Sequence, residues 1–146
     1  MIKYVKGDLF ETKCNIIAHG CNCRGGFGSG VAYTMAMKYP KVRDMYLEKH
    51  EEEGWKLGDV QFVRVRDGRV IANCATQYNY LPRGVCHASY DAIRKAMQTV
   101  KEYAVNNDLS VAIPKIGAGL AGGDWDKIES ILEEVFSDYS ITVYVL

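Results

Sequence analysis

The chain has 146 residues, 48% of them apolar and 25% charged, enough for one folded domain with a real core and too few for a second. Lys+Arg and Asp+Glu are equal at 18 each, so the net charge is zero at neutral pH. That balance excludes a general electrostatic pull toward nucleic acid or anionic lipid, and no apolar run approaches the about 20 residues of a membrane span. Length and balance predict a single domain over residues 1–146 with no membrane partner and no strong nucleic-acid signal. An anion could still be bound locally, by backbone dipoles rather than by net charge.

The opening Met1-Ile2-Lys3-Tyr4-Val5 reads as a first strand, not as a leader. The five cysteines, Cys14, Cys21, Cys23, Cys74 and Cys86, are odd in number, which fits reduced thiols in a cytoplasmic protein. Cys21-Asn22-Cys23 lacks a second cysteine pair, so no zinc or other metal site is expected.

In chain order, Ile2–Lys6 is a short strand, and residues 15–19 contain the buried-strand signal Ile16-Ile17-Ala18. A glycine-rich loop is expected over 20–30, followed by an apolar helix over 31–38. Pro40 opens a polar helix to about Glu53. Residues 59–66 alternate apolar and polar, Asp67-Gly68 is a hairpin signal, and 70–74 returns as the antiparallel partner. Ser89 reads as the N-cap of a helix to about Val105 with Ile93, Met97 and Val100 on one face. A strand over 110–113, a second glycine loop over 116–123, a helix over 125–136 and a strand over 141–146 complete the chain. Strand–helix alternation with one hairpin predicts an α/β fold, a mixed sheet with helices on both faces. In such sheets ligands bind beyond the carboxyl ends of the strands.

Both glycine loops fall there. The first is Gly25-Gly26-Phe27-Gly28-Ser29-Gly30 and the second Gly117-Ala118-Gly119-Leu120-Ala121-Gly122-Gly123. Glycine allows close backbone approach, so that successive N–H groups can point into one concavity and cradle an anion; a helix N-terminus adds to the effect. Two such loops at one sheet edge suggest a ligand gripped from both sides, such as a diphosphate. The first is not a P-loop, since no Gly-Lys-Ser/Thr follows, and its spacing is not that of a dinucleotide fingerprint.

Four segments carry a family resemblance: Lys6-Gly7-Asp8-Leu9, Ile17-Ala18-His19-Gly20-Cys21-Asn22-Cys23, Gly26-Phe27-Gly28-Ser29-Gly30-Val31-Ala32 and Ile113-Pro114-Lys115-Ile116-Gly117-Ala118-Gly119-Leu120. Together they resemble macro domains over nearly the whole chain, and the run from His19 to Lys41 is similar to the ADP-ribose-1″-phosphate phosphatase branch. The resemblance implies a three-layer α/β macro domain with a mixed central sheet of about six strands. It also implies a small-molecule partner, ADP-ribose or a derivative, and hydrolysis of ADP-ribose 1″-phosphate to ADP-ribose and phosphate, with no cofactor.

By resemblance, Asp8 accepts a hydrogen bond from the adenine amino group, with Gly7 and Leu9 beside it, and Asn22 lies near the distal ribose. Gly26, Phe27, Gly28, Ser29, Gly30 and Val31, with Ile116, Gly117, Ala118, Gly119, Leu120 and Ala121, wrap the diphosphate and distal ribose. Asp8 could instead only cap a short helical turn, and Asn22 only brace its loop. Relatives that remove ADP-ribose from protein carboxylates carry a lysine where this chain has Gln77 and an aspartate where it has Ala121, which counts against that chemistry here. A hydrolase of other ADP-ribose derivatives and a non-catalytic reader remain as alternatives.

The expected catalytic set is His19, Asn22 and Asp124. His19, at the expected strand end, resembles the histidine assigned to catalysis in the phosphatase branch, and imidazole titrates near neutrality. Asp124 is either a cap of the last helix or a carboxylate that orients water. Cys21 and Cys23 lack the Cys-x5-Arg spacing of a cysteine phosphatase, and one aromatic of residues 77–80 is expected near the distal ribose.

Overall fold

The strand and helix signals resolve, in a computed structural model that describes residues 1–82 and 84–146, into β1 (Ile2–Lys6), a single 3-10 turn (Leu9–Glu11), β2 (Ile16–Asn22), α1 (Gly30–Lys38), α2 (Pro40–Glu52), β3 (Val60–Arg64), β4 (Val70–Gln77), α3 (Tyr90–Asn107), β5 (Val111–Ile113), α4 (Trp125–Val135) and β6 (Ile141–Val145). The sheet order is β1-β6-β5-β2-β4-β3. Every neighbouring pair is parallel except the β3–β4 hairpin, whose turn holds Asp67 and Gly68.

Side-chain alternation along the strands separates two cores. On one face Ile16, Ala18, Val70, Ala72, Val111, Ile113 and Ile141 pack on Ile93, Met97 and Val100 of α3 and on Ile128 and Leu132 of α4. On the other, Ile17, Ile71, Val63 and Ala112 pack on Met35 of α1 and on Val42 and Tyr46 of α2. The arrangement is the expected three-layer one. Ser89 caps α3, its hydroxyl accepting from Ala92 N at 3.1 Å, and Pro40 opens α2 where a missing N–H costs nothing.

Two strands outrun their sequence signals. β2 continues past His19 to Asn22, and β4 past Cys74 to Gln77, because each extends the other: Gly20 pairs with Cys74, Cys21 with Ala75 and Asn22 with Gln77. Gly20, which reads as loop, is therefore a strand residue. Its lack of a side chain serves packing, since a Cβ there would lie 2.5 Å from the Thr76 hydroxyl oxygen. The first glycine loop consequently begins after Asn22, and His19 lies within the strand.

Candidate functional site

Where the parallel strands end, the two glycine loops enclose a cavity of about 950 Å³. The floor includes Gly20, Cys21 and Asn22 at the end of β2. Residues 26–31 form one wall, and residues 114–117 with 119–121 form the other. Gln77, Tyr80 and Leu81, at and after the end of β4, and Ala32, Tyr33, Ala36, Met37, Pro40, Arg43 and Asp44, from α1 and α2, complete the lining.

The backbone supplies the chemistry of these walls. Among the described residues, no acceptor takes the N–H groups of residues 27–32 or of 119–121. The first set includes the opening turn of α1, whose N-cap Ser29 makes no side-chain bond and whose first turn holds no acidic residue. A helix N-terminus with free donors and no local anion favours an incoming negative charge. Asn22 shapes the approach to this turn: its Nδ2 donates to Gly26 O at 2.6 Å, and its Oδ1 accepts from Arg24 N at 2.9 Å and Gly26 N at 3.1 Å.

The second loop is closed on itself by Gly123 N donating to Gly117 O at 2.8 Å and by Ala118 N donating to Lys115 O at 3.1 Å. Gly117 has φ +79°, and a Cβ there would meet Ile93 Cδ1 at 2.8 Å, so conformation and space both require glycine. Leu120 reaches across to the first loop, its Cδ1 3.6 Å from where a Gly30 Cβ would stand.

Of the residues expected from sequence, Asn22, Gly26, Phe27, Gly28, Ser29, Gly30, Val31, Ile116, Gly117, Gly119, Leu120 and Ala121 converge on the cavity. Ala118 lies behind the wall, packed on the α3/α4 core. Gly7, Asp8 and Leu9 lie at the same edge of the sheet, after β1, but outside the lining; Asp8 caps the 3-10 turn, its Oδ1 accepting from Phe10 N at 2.9 Å.

His19 and Asp124 do not line the cavity. His19 points into the α1/α2 core with no exposed surface, because strand alternation puts it on the same face as Ile17. Burial pushes its pKa down to about 4, partly opposed by its bond to Asn73. Asp124 is exposed and caps α4, accepting from Asp126 N at 2.9 Å. Burial raises the Cys21 and Cys23 thiols above their ordinary range, which disfavours a thiolate nucleophile. Among the described residues no three His, Cys, Asp or Glu side chains converge as a metal would require, and no helix is long and apolar enough to cross a membrane.

The sequence singled out no role for Tyr33, Met37, Arg43 or Asp44, and nothing local marks them: they join the site only because α1 and α2 fold back beside it. Gln77 and Tyr80 carried a local cue, their position just after a strand that ends at the same edge. Gln77 Nε2 donates to Asn79 O at 2.8 Å, tying that turn.

Residues 18–132 match the family model described as Macro domain. An ADP-ribose 1″-phosphate phosphatase of Candida albicans is 29% identical over all of this chain and all of its own length. An ADP-ribose glycohydrolase of Bos taurus is 32% identical over 99% of this chain and 91% of its own length. The structure of a macrodomain protein from Streptomyces coelicolor superposes with a TM-score of 0.83 at 32% identity, covering 100% of this chain and 99% of that one.

Proposed function

The chain belongs to the macro domain family, and from that premise we propose that it binds ADP-ribose in the cavity between its two glycine loops and hydrolyses ADP-ribose 1″-phosphate to ADP-ribose and phosphate. The observation that carries this is that both loops line the cavity while, among the described residues, no acceptor takes the N–H groups of residues 27–32 or 119–121, a set of free donors that suits a diphosphate and a terminal phosphate. Full-length similarity to named ADP-ribose 1″-phosphate phosphatases supports it.

In this reading the loop N–H groups hold the phosphate oxygens and stabilise the charge that builds on them as water attacks phosphorus and the bond from phosphorus to the 1″ oxygen breaks. Asn22 fixes the first loop against the distal ribose, and Tyr80 walls that end. Asp8 caps its turn through Oδ1 and uses its second oxygen for the adenine amino group, with Gly7 and Leu9 beside it. His19 acts beneath the floor as a neutral positioning group, and Asp124 as a helix cap. The free state of all five cysteines supports a cytoplasmic setting, and the whole chain serves as one such domain.

A second reading, release of ADP-ribose from other derivatives, is favoured by the similarity to a named ADP-ribose glycohydrolase. Gln77 and Ala121 offer neither an amine nor a carboxylate for that route. Incubation with ADP-ribose 1″-phosphate, with free phosphate and ADP-ribose both measured, tests the first reading. Phosphate release at ADP-ribose yields of one to one supports it. Binding without phosphate release leaves a reader, and turnover only of ester-linked ADP-ribose supports the second reading.

A further inference from the structure

Tyr46 lies on α2, outside the cavity lining, with no exposed surface. Its hydroxyl donates to Asn22 O at 2.7 Å, with Asn22 Oδ1 at 3.0 Å sharing the same proton, and accepts from Gly25 N at 3.1 Å. One phenol thus joins the last residue of β2 to the turn that opens the first glycine loop. The ring is held on both sides, against Phe27 at 4.8 Å and stacked on Trp55 at 5.1 Å between centroids. Trp55 Nε1 donates to Tyr46 O at 3.0 Å.

Gly25 has φ +84°, and the place of its missing Cβ is filled by His50, whose Nε2 would be 2.9 Å away. Tyr46 and His50 are one helical turn apart, so one face of α2 clamps this left-handed residue by a hydrogen bond and by contact. The next residues of the chain, 26–31, line the cavity, and among the described residues no acceptor takes the N–H groups of 27–31.

We infer that Tyr46 is a positioning residue for the first glycine loop: its hydroxyl sets the Asn22–Gly25 turn and thereby aims the N–H groups of residues 27–32 at the ligand. Burial holds the phenol well above its ordinary titration range, so the donor persists at any working pH. The effect on affinity rests on the ADP-ribose reading; the effect on the loop does not. Preorganisation of this kind acts on binding, because the cost of ordering the donors is already met in the free protein.

The test is Tyr46→Phe, which keeps the ring and removes the hydroxyl. In ligand-free protein, the Gly25 amide should exchange with solvent about tenfold faster, and ADP-ribose should bind about tenfold more weakly. In turnover, kcat/KM should fall about tenfold, with kcat sharing in the loss, because the same N–H groups hold the phosphate oxygens in the transition state. Val135→Ala, which loosens the remote face of α4 without touching the loop, is the control for general destabilisation. Measured well below both melting temperatures, it should leave Gly25 exchange and ADP-ribose affinity unchanged.

Unaltered Gly25 exchange in Tyr46→Phe, or equal loss of affinity in Val135→Ala, overturns the inference. Incorporation of 3,5-difluorotyrosine at position 46 is a milder second variant; it weakens the acceptor for Gly25 N and should shift exchange in the same direction by less. If wild-type protein fails to bind ADP-ribose, the functional reading falls while the exchange measurements still decide the role of Tyr46.

Discussion

His19 Nε2 donates to Asn73 Oδ1 at 2.6 Å across the parallel pairing of β2 with β4. The direction of that bond is set from further along the sheet. Gln61 Nε2 donates to Met45 O at 2.9 Å, which turns Gln61 Oε1 toward Asn73 Nδ2 at 3.0 Å and leaves Asn73 Oδ1 as the acceptor for the imidazole. Among the described residues, His19 Nδ1 has no partner. A second proton there would be a buried donor without an acceptor, which costs more than a hydrogen bond returns.

The first prediction concerns stability and pH. The folded pKa of His19 is about 4, below the ordinary value of about 6.5 in the unfolded chain. Between those values the unfolded chain binds more protons, so stability rises with pH. The contribution is fully present above about pH 6.5 and is lost as pH falls toward 4, amounting to about 3 kcal/mol. Urea unfolding of wild type and His19→Gln from pH 4 to pH 7 should show a steeper slope in the wild type. Equal slopes would mean that His19 titrates normally.

The same geometry bears on turnover. A neutral imidazole enclosed beneath the floor leaves no inflection in the pH dependence of kcat/KM. His19→Gln, which can still donate to Asn73, should keep the wild-type profile between pH 5 and 8 with activity within about tenfold. Loss of a basic limb in the variant's profile would restore His19 as an acid–base group.

Asp124 separates capping from chemistry. Asp124→Asn keeps a side-chain oxygen for Asp126 N and should preserve both stability and phosphate release, whereas Asp124→Ala should cost about 1 kcal/mol of stability with kcat intact. A fall in kcat for the Asn variant at unchanged melting temperature would place the carboxylate in the reaction.

Asp8 is the converse case. Asp8→Asn retains the cap on Phe10 N but loses the charge offered to adenine, so ADP-ribose should bind about 1.5–3 kcal/mol more weakly with little change in melting temperature. Calorimetric titration gives the answer directly, and wild-type affinity in the Asn variant would reduce Asp8 to a cap.

Gly117 tests the second wall. Alanine at φ +79° is strained by about 1–2 kcal/mol, and its Cβ meets the Ile93 side chain. Gly117→Ala should therefore lower the melting temperature and weaken ADP-ribose binding together. Thermal unfolding with and without ADP-ribose measures both, and a variant with wild-type affinity would show that residues 119–121 keep their aim without it.

The local signals in this chain were legible because each acts over a few residues. Ser89, Pro40 and Asp124 mark helix starts, Asp67-Gly68 marks a turn, and strand–helix alternation predicts the sheet with helices on both faces; both glycine loops follow strands as those signals imply, though the first begins only after Asn22. What the sequence could not decide was which side of a strand faces the site. His19 carries the composition of a catalytic residue, but strand pairing carries β2 three residues beyond it, and the two-residue alternation turns its ring toward α2. The length of a strand depends on its partner, and β4 is far away in sequence. The same holds for Tyr46: in a one-dimensional reading it is an aromatic on a polar helix, and only the packing of α2 under the first loop makes its hydroxyl the link between Asn22 and Gly25.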